Sequence, residues 1–443
     1  MIRLTRSQVQ PIGVDIGFDS IKMLQLEAVG QSLSVVAAAR QPFPEEVRAQ
    51  PNLRMPLAVD MIRKMLRQGG FVGRQVITSL PREIVHVKNL RLPMIPPHEL
   101  AGAVEFEARN IFAFDTDKAH VDYCVAGEVR QGADVRQELI VLAARDDDVN
   151  DFLEQLHRSG AILASLDVEP FALYRTVERF IRRREDEGDV HVLLDIGARR
   201  SQVVIGRGRE ISFLKPIDIG SRHMLEAVSA KLGITVDEAR ALRRRLAEAS
   251  PVDAAEVAKS DPVRQAVFDA SRSIMEDLGR EISLCLRYFS VTFRGQRPEK
   301  VRLVGGEAAD PQLHAVLNSA LPIPVETSRP LFSVDTSRMK PSDRRGVMCE
   351  WTLALGLGLR FATGTFGPRD GKPRDPFGPR EDLYPLAPKG EVVDLNAAIS
   401  AAAPGAGGST GPTSVLAAER AAAAATRRPP GQAQPSPQEV GHA

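Results

Sequence analysis

Two stretches decide the fold: VDIGFDSIKML at Val14–Leu24 and LDIGARRSQVV at Leu194–Val204. Asp15 and Asp195 stand 180 residues apart (195 − 15), each in the same Asp-Ile-Gly setting. Both stretches read as strand, tight glycine turn, strand. Glycine lets a backbone approach an anion closely, and successive N–H groups at such a turn form an anion-binding nest. An aspartate placed there can hold hydrated Mg2+ or orient a water. A single such turn is ordinary turn chemistry. Two, at equivalent points of two half-chains, point to duplicated domains facing each other across a cleft that clamps a polyphosphate from both sides.

Working outward from Asp15, strands and helices alternate. SIKMLQLE, RQVITSL, IVHVKNLRL, HVDYCVAGEV, ELIVLAAR and AILASLDV read as strands. LAVDMIRKMLRQGG, HELAGAVEFEARNIF, DDDVNDFLEQLHRSG and EPFALYRTVERFIRRR read as helices, the first stopped by Gly69-Gly70 and the third by Gly160. The pattern then restarts. DVHVLLDIG leads into a hairpin, SQVVIGRGREISFL, turning through Gly206 and Gly208. Helices are expected over 219–233, 236–248 and 262–290. The last has an apolar stripe of Val263, Val267, Ala270, Ile274, Leu278, Ile282, Cys285 and Phe289. KVRLVGG is a strand, PQLHAVLNSAL a helix, and CEWTLALGLGLRF closes the folded part.

Composition bounds the function. The chain has 443 residues, enough for two or three domains, and a net charge of +1, which gives no electrostatic case for nucleic acid. Cys124, Cys285 and Cys349 are few and scattered, and they read as buried packing residues in a reducing compartment. The longest apolar run, Trp351–Leu359, is about half of the ~20 residues a bilayer span needs. No signal peptide is visible, and His86, His98, His120, His157, His191, His223 and His314 lack metal-site spacing. Residues 363–443 are rich in Gly, Pro and Ala and read as a disordered tail. Two short helix candidates lie in it, at 392–402 and 414–425.

A third motif completes the pattern. KVRLVGGEAADPQLHAVL is strand, Gly305-Gly306, helix, where the glycines let a flat base pack on the backbone. Strand–DIG–hairpin twice, then strand–GG–helix, resembles the actin-like ATPase superfamily. Within it the chain looks like the PilM family of type IV pilus assembly, related in fold to FtsA. LRLPMIPPHELAGAVEFEARNIFAFDTDKAHVDY, LIVLAARDDDVNDFLEQLHRSGAILASLDVEPFAL and LALGLGLR carry the same resemblance, which covers about residues 10–362.

The resemblance implies a bilobed α/β fold of two duplicated RNase H-like lobes, at 10–185 and 186–362. A small partner-binding subdomain would be inserted at about 82–165. It implies ATP and Mg2+ in the cleft. Asp15, Gly17, Ser20 and Lys22 would form the first phosphate loop, Asp195 and Gly197 the second, and Gly305, Gly306 and Arg243 the adenosine site. Asp15 and Asp195 would hold the metal. Glu169, in a Glu-Pro pair like that of MreB, would position the attacking water beside Asp195. The resemblance also implies partners: the cytoplasmic N-terminal peptide of a PilN-like inner-membrane protein, pilus motor and platform proteins, and further copies in a homo-oligomeric ring. The implied location is cytoplasmic, peripheral at the inner membrane.

The chain departs from that pattern at named places. The first loop carries Phe18 and Asp19 before Ser20, and the second carries Ala198, Arg199 and Arg200 before Ser201. Asp19 repels phosphate unless a metal or arginine compensates it. Arg199 and Arg200 are candidates for that, or are surface charges, or pair with Asp15 and Asp19 in place of nucleotide. In EARALRRR, where relatives have Ala-Glu-x-x-Lys, Ala239 is kept but Arg240 and Arg243 replace the Glu and Lys. Arg240 is donor-only where a ribose hydroxyl would meet an acceptor. Glu307 follows the glycine pair directly. The expected function is an assembly scaffold with nucleotide as a weak or structural ligand and weak or degenerate ATPase activity. The alternatives are an active ATPase or small-molecule kinase of the same superfold, and the cytoplasmic actin-like subunit of a type II secretion platform.

Overall fold

A computed structural model of the chain describes residues 8–29, 32–132, 134–248, 261–293 and 297–362. All of them fall in one compact unit, Met1–Gly378. The expected tail at 363–443, with its helix candidates at 392–402 and 414–425, lies outside the described residues.

The first sheet is built from β1 (Gln8–Val9), β2 (Ile12–Ile16), β3 (Ser20–Val29), β4 (Ser32–Pro42) and β5 (Gln75–Ser79). Helices α1 (Glu45–Ala49) and α2 (Pro51–Gln68) cross from β4 to β5. Ala58, Met61, Ile62 and Met65 recur at helical spacing on α2 and bury against Ile12, Val14, Ile21 and Met23 of the hairpin. The helix stops as expected: the Gly69 N–H bonds the Met65 carbonyl, and Gly70 takes the left-handed conformation at φ +76°.

After β5 the chain leaves the sheet. It forms β6 (His86–Pro93), α3 (Pro97–Ile111), β7 (Ala119–Gln131) and β8 (Asp134–Arg145), a separate antiparallel sheet of order β6-β8-β7. Leu100, Val104 and Ala108 of α3 pack on Leu139 and Val141. Helix α4 (Asp146–Arg158) returns the chain to β9 (Ile162–Asp167), which pairs parallel with β5. The β6-β8-β7 sheet and α3 therefore form an excursion between two neighbouring parallel strands of the first sheet, and α4, which packs on α2, completes the crossover.

Helix α5 (Glu169–Glu178) leads to the second sheet: β10 (Val190–Ile196), β11 (Ser201–Arg207) and β12 (Glu210–Ile217). Then come α6 (Ser221–Leu232), α7 (Val236–Glu248), α8 (Pro262–Thr292), β13 (Val301–Gly305), α9 (Pro311–Ala320) and β14 (Val325–Thr327). The order is β12-β11-β10-β13-β14, against β4-β3-β2-β5-β9 in the first sheet. In each, the first strand pairs antiparallel with the second and parallel with the fourth. The duplication read from two DIG turns is therefore a duplication of sheet topology.

The chain ends by crossing back. β15 (Val334–Asp335) pairs with β4, and the fully buried α10 (Thr352–Gly358) packs on β2, β3 and α5. Glycines permit this approach. A Cβ at Gly13 would run into the Ala354 carbonyl, and one at Gly356 into the Ala172 carbonyl.

Local expectations differ from the structure in three places. Helix α5 ends at Glu178 rather than running through its arginines, because the Asp186 carboxylate takes the Arg182 and Arg183 N–H groups at 3.0 Å. The hairpin turns at Gly208 (φ +55°), while Gly206 lies inside β11, where any Cβ would meet the Tyr174 ring. On α8, Val263 is exposed in the first turn and the buried stripe starts at Arg264 and Val267.

Gly356→Ala should cost about 3 kcal/mol, because the intruding methyl meets backbone on one side and a packed sheet on the other. A thermal midpoint lower by ~5 °C or more is expected. Gly102→Ala, on α3 with open space around its Cβ position, should be neutral or slightly stabilising. Equal effects of the two would contradict the close packing of α10.

Candidate functional site

The two DIG turns emerge at the carboxyl ends of β2 and β10, where open α/β sheets gather ligand-binding groups. Their registers match. Asp15 pairs across its hairpin with Lys22, and Asp195 with Gln202, again 180 residues on (202 − 22). Lys22 Nζ donates to Asp15 Oδ2 at 2.8 Å. Gln202 Nε2 donates to Asp195 Oδ2 at 3.4 Å. Asp15 and Asp195 are buried, at 5% and 7% exposure.

Gly17 and Gly197 sit in the turns. The Gly197 N–H bonds the Arg200 carbonyl at 3.1 Å, closing a tight turn, and a Cβ there would lie 2.6 Å from that oxygen. Ser20 opens β3 and is buried. Gly305 ends β13 beside the second turn, in register with Ile196. It needs to be glycine twice over: φ is +94°, and a Cβ would lie 2.5 Å from the Ile196 carbonyl oxygen and 2.8 Å from Asp195 Oδ1. Gly306 is exposed with open space around it.

Glu169 is the first residue of α5, where the helix dipole favours a carboxylate. Its partner is Arg82, in the loop after β5, a residue that the motifs did not single out. The Arg82 guanidinium bonds Glu169 through Nε and Asp195 through Nη2, with a 3.4 Å contact to the Arg200 carbonyl. It thus reaches from the first sheet's loop to the second DIG turn. Burial works against the charge on Arg82, but Glu169 and Asp195 outweigh it and hold its pKa above the usual arginine value. Burial also pushes the Glu169 carboxyl up to about 7; Arg82 opposes the shift, and the charges of Asp195 and Asp15 add to it. The one guanidinium is shared between two carboxylates, so it does not offset the burial of Glu169.

Of the three alternatives for Arg199 and Arg200, the structure agrees with surface charges, and the compensation of Asp19 comes from elsewhere. Arg199 stands over the Phe18 ring at 5.8 Å and Arg200 pairs with Asp218 at 2.8 Å, so neither meets Asp15 or Asp19. Asp19 is instead bonded by Arg240 of α7, with Arg48 of α1 at 3.8 Å. The arginine that replaced an expected glutamate thus neutralises the aspartate that replaced a small residue. Around it Arg48 pairs with Asp237 at 2.9 Å and Arg222 with Glu45 at 3.3 Å. Three ion pairs therefore join α1 and the first turn to α6 and α7.

Arg243 lies on the same helix but points into the protein. Its side chain is 5% exposed and pairs with Asp310 at 2.5 Å and Glu307 at 3.2 Å, tying α7 to the Gly305-Gly306 loop. Burial raises the Glu307 pKa, with Arg243 opposing. The Nε and Nη1 groups of Arg243 are buried without a hydrogen-bond partner. Two orphaned donors beside the glycine pair are the feature that an oxygen- or nitrogen-rich ligand would satisfy.

Comparison with known proteins follows the geometry. The profile of the family described as type IV pilus assembly protein PilM matches residues 13–362. Among solved structures, a PilM-PilN type IV pilus biogenesis complex is similar at 23% identity and TM-score 0.64, covering 81% of this chain and 99% of that chain. Ethanolamine utilization protein EutJ from Carboxydothermus hydrogenoformans is 13% identical at TM-score 0.44, covering 81% and 90%. The archaeal actin homolog Ta0583 is 13% identical at TM-score 0.36, covering 79% and 98%. The fold is the bilobed actin-like ATPase fold with an inserted small sheet.

The Glu169 pKa has a sign that can be tested. Between about pH 4.5 and 7 the folded protein keeps a proton that the unfolded chain gives up. That group therefore makes the fold lose stability as pH rises through this window. Glu169→Gln should remove the loss. From pH 5 to 7.5 its unfolding free energy should rise relative to the parent by on the order of 1–3 kcal/mol. Parallel pH profiles for the two proteins would contradict the assignment.

Proposed function

The chain belongs to the PilM family of type IV pilus assembly proteins, and on that premise we propose that it is a cytoplasmic actin-like scaffold. It would act in the inner-membrane assembly complex of a type IV pilus or related type IV filament. Its partner is the cytoplasmic N-terminal peptide of a PilN-like membrane protein, taken by the inserted region at about 82–165. Pilus motor and platform proteins, and further copies in a ring, would join the same complex. The likeness to a PilM-PilN complex supports the PilN-like partner. Among the described residues no helix is long and apolar enough to cross a membrane, and attachment through such a partner accords with that.

The cleft fits ATP with Mg2+. Asp15 and Asp195 would hold the metal. The Gly17 and Gly197 turns, Ser20 and Lys22 would face the phosphates. Gly305, Gly306 and the unpartnered donors of Arg243 would take the adenosine. When bound, Mg·ATP supplies a phosphoanhydride whose charge the metal spreads. Glu169, joined to Asp195 through Arg82, would hold or accept a proton there, the role of a water-positioning group.

One observation supports the scaffold over the motor. Asp15, Asp195 and Asp19 each already hold a cation from the chain: Lys22, Arg82 and Arg240. A ligand that must first displace ion pairs loses apparent affinity by the population of the paired state. Nucleotide therefore acts as a structural or switching ligand with slow turnover.

Calorimetry with Mg·ATP and with the N-terminal peptide of a PilN-like protein encoded nearby tests this. The expected result is peptide binding with weak nucleotide binding, and hydrolysis well below the ~1–1000 per second of ordinary enzymes. Fast turnover without peptide binding would overturn the scaffold reading.

A further inference from the structure

The loop after β5 carries a residue that the proposed nucleotide chemistry does not require. Arg82 could have pointed to solvent, as Glu83 does beside it. Instead its guanidinium lies between Glu169 and Asp195, bonded to both. It also lies against the second phosphate turn: its Nη1 is 3.8 Å from where a Gly197 Cβ would be. A planar cation with several donors fits two carboxylates well. A divalent metal has the same appetite for the same oxygens.

We propose that Arg82 is a built-in cation that competes with the divalent metal for Asp195, and so sets the metal requirement of the cleft. The proposal rests on the nucleotide reading for its biological use, though not for its test. Three features carry it. First, the duplicated hairpins differ at the register position opposite the aspartate. Asp15 has the cation Lys22 opposite it, while Asp195 has the neutral Gln202. The arginines of that hairpin's turn, Arg199 and Arg200, go to Phe18 and Asp218, and Arg82 supplies the cation for Asp195 from the other lobe. Second, Arg82 is held weakly except by these carboxylates. Its contact to the Arg200 carbonyl is 3.4 Å, and its side chain is 22% exposed. Third, Asp195 Oδ2 is the atom that both Arg82 and Gln202 contact. A metal reaching that oxygen has to displace the guanidinium.

The displacement has a structural consequence. Arg82 and Asp195 belong to different lobes, so metal arrival breaks an interlobe tie at the moment it charges the site. The freed guanidinium stays beside the Gly197 turn, where it can pair with a phosphate oxygen. Arg82 is on this account a positioning and specificity residue, exchanging one anionic partner for another.

The test uses Mn2+ alone on the full chain, with bound metal read from the loss of the free-ion electron paramagnetic resonance signal. Arg82→Gln should bind Mn2+ about tenfold more tightly than the parent, because a like charge leaves and a carboxylate is freed. Adding Asp195→Asn to that variant should abolish the gain. Equal Mn2+ binding by parent and Arg82→Gln, with unchanged circular dichroism, would overturn the proposal. If Arg82→Gln fails to fold, Arg82→Lys keeps the charge but loses the two-carboxylate fork. A roughly threefold gain is then expected, and no gain overturns it. A second arm adds a fluorescent ATP analogue. Should neither protein bind it while the Mn2+ gain persists, the nucleotide reading falls and the role of Arg82 stands. Nucleotide binding with no Mn2+ difference sinks the Arg82 proposal alone.

Discussion

Asp15, Asp19, Glu169 and Asp195 are the partly buried carboxylates around the proposed nucleotide cleft, and carboxylates drawn out of water need cations close by. Lys22, Arg82 and Arg240 meet that need. Only Lys22 comes from the same hairpin as its partner. Arg82 and Arg240 each reach from one half of the duplication to the other, so the pairs that neutralise these carboxylates also tie the two halves together. Arg48–Asp237 and Glu45–Arg222 extend the tie along the same seam. Removing one partner from such a set leaves its mate buried and unpaired, the costly case, so the pairs act together.

The duplicated topology explains where that need falls. Both lobes run their strands in the same order, and both place an aspartate at the carboxyl end of the first strand. They diverge at the position that faces the aspartate across the hairpin, Lys22 against Gln202. A symmetric fold with an asymmetric charge set has one self-sufficient turn and one dependent turn. Gly305 then closes on the dependent turn so tightly that no side chain fits.

What was legible in the chain was what is local. The DIG turns, their flanking strands, the glycine pair and most helices lie within short windows, where periodicity and turn residues act directly. The crossing back of β15 and α10 was not legible, since WTLALGLGL reads as buried whichever sheet covers it. Arg82 carried no pattern beyond its place just after a central parallel strand. Its bond to Asp195 joins residues 113 apart, and the Arg240 bond to Asp19 joins residues 221 apart. Arg199 and Arg200 drew the expectation that belonged to Arg240 because they sit next to the turn in sequence. In space Phe18 and Asp218 take them first. The roles of Glu169, Asp195 and the residues of the two turns remain those implied by resemblance; what the structure adds is that Arg82 joins Glu169 to Asp195.

The central claim is that the chain's own cations hold the two lobes together over this cleft. Double electron–electron resonance between one spin label on each lobe measures that directly. Replacing Arg240 and Arg48 together by glutamine should lengthen and broaden the interlobe distance distribution relative to the parent. An unchanged, equally narrow distribution in the double variant would contradict the account.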